Sequence, residues 1–165
     1  MSSSYRAEVR GEEAIASQTV LFASSLSCAA GTIHLVAAAS HFSEYWLFGT
    51  FFVLVALAQF AWSAAVYRSP DSTVLQLGIW LSLTVAGVWT VSRTTGLPLG
   101  PGRWSPEAIG AQDASATLDE LAIAALAWSL LRHRFRWTAT RGGQAAVLGL
   151  LIATGLAAMS APHAH

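Results

Sequence analysis

Apolar runs of about twenty residues, separated by short polar or turn-forming stretches, constrain this chain more than any other feature. Hydrocarbon offers no water to backbone N–H and C=O groups, so a run of this length that crosses the ~30 Å apolar layer does so as an α-helix. Five runs qualify or nearly qualify: Gln18 to Ala39, Trp46 to Tyr67 (interrupted by Gln59), Thr73 to Ser92, Ala114 to Leu131, and Gly142 to Ala161. The fourth carries Asp119 and Glu120 near its start and is the least apolar. The fifth is rich in Gly and Ala, a composition that lets helices approach closely. Of the 165 residues 54% are hydrophobic and only 11% charged, where about a quarter charged is usual for a soluble domain. The expected fold is all-α, an integral membrane bundle of five transmembrane helices forming a single domain over residues 18–161.

Arginine placement sets the expected orientation, because cytoplasmic loops carry the excess of basic residues. All nine basic residues are arginine: Arg6, Arg10, Arg68, Arg132, Arg134, Arg136 and Arg141 fall on one side of the five spans, and only Arg93 and Arg103 on the other. Seven against two puts the N-terminus in the cytoplasm and the C-terminus outside, in a bacterial inner (plasma) membrane. Residues 1–17 are polar and carry three glutamates, unlike a cleavable signal peptide, so they read as a cytoplasmic segment ahead of a retained first span. The connection 93–113 holds Pro98, Pro101 and Pro106 beside Gly96, Gly100, Gly102 and Gly110, which reads as an ordered outer loop in which the glycines allow positive φ. Residues 162–165 form an outer tail with His163 and His165.

Several function classes drop out. A formal net charge of zero provides no basic field for nucleic acid. The single cysteine, Cys28, excludes an internal disulfide and any CxxC metal motif. No serine or cysteine nucleophile constellation is present; the chain leans toward a non-enzyme, and hydrolysis is left open only through an open-sided metal that activates water. The expected partners are the lipid bilayer and a membrane protein or a second copy of the chain.

What chemistry remains gathers on one side. His34, His41 and Glu44 share a helical stripe, since residues at i, i+3 and i+7 lie on one face. With the orientation above, four of the five histidines and five of the nine acidic residues lie at or near the outer face. Imidazoles and carboxylates are ligands for zinc, iron and copper(II), so His34, His41 and Glu44, completed by Glu120 and by Asp113 or Glu107 from a second helix or the loop, read as a transition-metal site. The bland alternative makes His41 and Glu44 ordinary loop residues and His34 a hydrogen-bonded interior histidine. Asp119 reads as a helix N-terminal charge favoured by the dipole. Glu120 is surrounded by apolar neighbours and calls for a partner inside the bundle: His34, Arg93 or a bound cation. Arg93 either snorkels to the interface or pairs with Glu107, Asp113 or Glu120. Gln59, near the middle of the second run, needs an interhelical hydrogen bond or lines a polar path.

The pattern His34-x6-His41-x2-Glu44-Tyr45, then Gly49-x-Phe51-Phe52 and Gln59, then Trp89-x3-Arg93-x2-Gly96-x-Pro98-x-Gly100-Pro101 with Glu107, Gly110, Asp113 and Glu120, resembles a group of small uncharacterised bacterial multi-pass membrane proteins over residues 31 to 120. The resemblance implies that these positions act as one unit and implies no activity.

Three functions compete. One is metal binding at the outer face, for storage, delivery or redox use, with copper, zinc or iron equally compatible with the ligand types. A b-type haem ranks lower, because His34 and His41 share one helix and cannot ligate opposite faces of one iron. The second is a proton- or ion-coupled transport component in which His34, Gln59 and Glu120 form a polar path. The third is a non-catalytic subunit whose outer polar cluster docks a larger membrane complex.

Overall fold

The computed structural model describes residues 3–132, and within them every regular element is a helix: α1 (Ser3–Glu44), α2 (Trp46–Arg68), α3 (Ser72–Thr94) and α4 (Ala111–Arg132). All four are long and apolar enough to cross a membrane. The expected fifth span, Gly142 to Ala161, lies with His163 and His165 outside the described residues.

Local chemistry explains the boundaries. α1 and α2 are joined through Tyr45 alone, an extended residue (φ −159°, ψ 123°). α2 stops before Ser69-Pro70-Asp71, and Asp71 caps α3 by accepting from the backbone N–H groups of Thr73 and Val74, both at 3.0 Å. α3 ends at Gly96 (φ +74°), whose N–H reaches back to Val91 O at 3.0 Å. A Cβ there would meet the Ser105 backbone at 2.5 Å, so only glycine fits this turn. α1 is longer than the apolar run predicted. Its first turns include Glu8, Arg10, Glu12, Glu13 and Ala14, strong helix formers that carry the helix past Gly11 without an apolar face.

α1 packs against α2 and α4, and α4 against α3, while α2 and α3 touch least. The helices alternate in direction. One end of the bundle, the loop end, holds Glu44, Tyr45, residues 95–110 and the start of α4; the other, the arginine end, holds Arg68, the α2–α3 turn and Arg132. An apolar core fills the arginine half, built from Val20, Ala23, Trp62, Val66, Leu75, Ile123, Ala127 and Leu130. Outward-facing Phe22, Leu54, Leu57, Leu77, Trp80, Leu83, Leu121 and Trp128 are all exposed, as suits side chains that meet lipid rather than water.

Two contacts hold the looser parts. Between α2 and α3, the Trp62 indole lies over Gly78 and its Nε1 donates to Val74 O at 2.6 Å. Over the loop end, Arg93 donates to Glu107 and, at 2.5 Å, to Asp113, tying residues 95–110 to the start of α4. Glu107 N also donates to Ser92 O at 3.1 Å, and Trp104 N to Leu97 O at 2.9 Å. Of the loop glycines, Gly96 and Gly100 take positive φ, while the third positive φ of the loop belongs to Trp104 (+59°) instead of Gly102 or Gly110.

A methyl group at Gly78 would sit 2.2 Å from the Trp62 ring, whereas one at Gly87 meets nothing within 4 Å. Gly78→Ala is therefore expected to cost about 1–3 kcal/mol in detergent unfolding, with Gly87→Ala neutral or stabilising. Arg93→Ala removes the clasp but leaves two half-exposed carboxylates. It is expected to cost about 1–2 kcal/mol locally and raise proteolytic cleavage within 95–110 roughly 5–30-fold.

Candidate functional site

Glu120 is fully buried, and two side chains converge on its Oε1. His34 Nε2 approaches from α1 at 3.4 Å, and Gln59 Nε2 donates from α2. His34 is 5% exposed and Gln59 1%. Each lies roughly 13–20 Å along its helix from the loop end at ~1.5 Å per residue, which is near the middle of a ~30 Å layer. Glu120 shares the buried face of α4 with Ala116, Ile123 and Ala127, as its apolar sequence neighbours called for a partner inside the bundle.

Three groups in a dry interior constrain one another. An unpaired carboxylate or imidazolium there costs several kcal/mol even after relaxation, so the pair favours a state with no net charge. One proton meets that condition in two ways, as imidazolium with carboxylate or as imidazole with carboxylic acid. Gln59 suits both, because its amide offers N–H to a carboxylate or, turned over, C=O to a carboxylic acid. Among the described residues, Glu120 Oε2 and Gln59 Oε1 have no hydrogen-bond partner. Unmet buried acceptors of this kind cost about 1–3 kcal/mol each, so the centre favours whatever brings it a further donor or cation.

The other expected ligands sit elsewhere. His41 and Glu44 face each other at 3.7 Å at the loop end, His41 partly and Glu44 half exposed. His41 stacks on Phe52, with ring centroids 4.1 Å apart and planes 8° from parallel, and Phe52 in turn contacts His34 at 5.5 Å. Glu107 and Asp113 are engaged by Arg93, so Arg93 does not reach the Glu120 centre as its ion-pair partner. The six residues expected to share one metal shell thus fall into three separate groups. Among the described residues no set of three or more His, Cys, Asp or Glu side chains is placed to hold a metal ion. Asp119 also departs from expectation: α4 begins at Ala111, so Asp119 lies two turns inside the helix, beyond the reach of the terminal dipole, and Asp113 occupies the first turn.

Two features escaped the sequence reading. Phe52 carries no chemistry of its own, and its place between two imidazoles depends on the register of α2 against α1. Below the centre, Ser24, Ser27, Cys28 and Ser63 join α1 to α2: Ser24 and Ser63 hydroxyls are 2.9 Å apart, Cys28 Sγ is 3.1 Å from Ser63 Oγ, and Ser27 donates to Gln59 O at 2.9 Å. The spacings 24, 27, 28 and 59, 63 are the helical-face signal that could have found them. Their hydroxyls largely bond main-chain carbonyls of the facing helix, the usual adhesive of helices in lipid.

Searches against protein-family models, curated proteins and solved structures found no match to this chain.

Proposed function

We propose that this chain is a membrane protein whose His34–Glu120–Gln59 centre takes up and releases a proton, as a component of a proton- or ion-coupled process. The observation that carries the reading is the meeting of a histidine, a carboxylate and an amide, all nearly or fully buried, at mid-bilayer depth. Ionisable groups at such depth are costly and are found chiefly where ions or protons are handled. A structural hydrogen bond in the same place is made more cheaply by serine and glutamine, as the Ser24–Ser63 pair does one layer away. The arginine distribution supports a cytoplasmic arginine end in a bacterial plasma membrane, with a fifth span completing the bundle.

A transition metal at the same centre is the second reading. Its support is Glu120 Oε2, a buried ligand-type atom without a partner among the described residues, beside His34. Copper, zinc and iron all accept this pair of ligand types.

Two measurements separate the readings. In proteoliposomes under an imposed ion gradient, wild type is expected to move protons, and Glu120→Gln and His34→Ala to do so at least ~100-fold more slowly; equal rates in all three end the proton reading. Elemental analysis of the same proteins is expected to find no bound metal whose amount depends on His34, and a stoichiometric copper, zinc or iron lost in His34→Ala selects the second reading. Glu120→Gln is further expected to unfold no more easily than wild type, since it removes a buried ionisable group and keeps the shape.

A further inference from the structure

The centre is closed on one side and screened on the other. Toward the arginine end lie the buried Cys28 and the buried Ser24, Ser27 and Ser63, whose hydroxyls are taken up by one another and by facing carbonyls, and the packed apolar side chains of Trp62, Val66, Leu75, Ile123 and Ala127. Toward the loop end the Phe52 ring stands between His34 and the partly exposed His41, its centroid 5.5 Å and 4.1 Å from the two imidazoles. His41 is held by Glu44, and Glu44 lines a cavity of about 150 Å³ shared with Phe48, Leu97, Leu99, Pro106 and Glu107. Of the remaining charged groups of that end, Arg93, Glu107 and Asp113 are occupied with one another, Arg103 is exposed on the loop, and Asp119 lies two turns into α4.

Resting on the proton-centre reading above, we propose that His41 and Glu44 are the acceptor through which protons reach the centre, and that Phe52 is the gate between them and His34. The physical basis is separation. His34 and His41 are seven residues apart on α1, about 10 Å at ~1.5 Å per residue, too far for direct transfer. The space between them is held by an aromatic ring that cannot carry a proton. A turn of the Phe52 side chain about χ1 removes the ring and opens that space to water from the loop-end cavity, with no helix displaced. Side-chain rotation of this kind is far faster than helix rearrangement, so each connection is brief and needs no change of the bundle.

The test follows the reactivity of His34 toward diethyl pyrocarbonate, a histidine-acylating reagent, in the full-length protein, with the modified peptides resolved by mass spectrometry. In wild type His41 is expected to react quickly and His34 slowly. Phe52→Ala and the milder Phe52→Met are expected to raise the His34 rate at least ~10-fold. Leu54→Ala, on the exposed face of the same helix, leaves it unchanged. Cys28, buried with its thiol against Ser63, monitors global opening and is expected to stay unreactive to maleimide in each variant. The gate is refuted if His34 reacts as slowly in both Phe52 variants as in wild type, if it rises only together with Cys28, or if wild-type His34 already matches His41. These results are independent of proton flux: flux without a Phe52 effect spares the centre and removes the gate, and an unsealed His34 without flux does the reverse.

Discussion

The constraint on which the rest of the structure depends is the cost of keeping Glu120 in the middle of a lipid-spanning bundle. A carboxyl group there has no water to fall back on, and any ionised form needs compensation at contact distance. The compensation comes from two other helices, an imidazole from α1 and an amide from α2, so three of the four described helices are committed to one point. That commitment fixes the register of the α1–α2 hairpin against α4. Hydrocarbon itself cannot do so, since lipid is as apolar as leucine and gives no reason to prefer one sliding position over another.

From that point the bundle divides. The arginine half is an apolar core packed from small residues and a few large ones, with the Trp62 indole filling the space over Gly78. The loop half is organised by charge: Arg93 gathers Glu107 and Asp113 and holds the 95–110 connection across the end, while His41 and Glu44 face each other across α1's last turn. Neutralising Arg93 within its own clasp leaves Glu120 to His34 and Gln59. Had Arg93 reached inward, Glu120 would be locked as a carboxylate and the centre would be structural.

Much of this was legible in the residues, and the remainder was hidden for definite reasons. The extents of α2, α3 and α4 follow from apolar runs ended by Pro70, Asp71, Gly96 and the loop, and each agrees with the structure to within a few residues. The start of α1 was missed because hydropathy registers the membrane and says nothing of a helix that continues into water. His34, Gln59 and Glu120 could be named as ionisable or amide groups within apolar helices, and their meeting follows once α1, α2 and α4 share an interface. The single metal shell failed to assemble because a common stripe on α1 does not shorten two helical turns, and because Phe52 occupies the gap. A phenylalanine in an apolar helix looks the same in sequence whether it faces lipid or separates two imidazoles. The serine seam was overlooked for the opposite reason: its residues are polar but small, and only the facing main-chain carbonyls reveal their role.

The central claim is that the Glu120–His34 centre takes up and releases a proton inside the bundle, and infrared difference spectroscopy of the full-length protein in lipid tests it most directly. Difference spectra between proteoliposomes with and without an imposed proton gradient are predicted to show the carbonyl band of a buried carboxylic acid growing or fading together with an imidazole ring mode. Both changes should be absent from Glu120→Gln, and the carbonyl change altered in His34→Ala. A wild-type difference spectrum indistinguishable from that of Glu120→Gln would mean that the carboxyl group keeps one protonation state throughout, and would contradict the account.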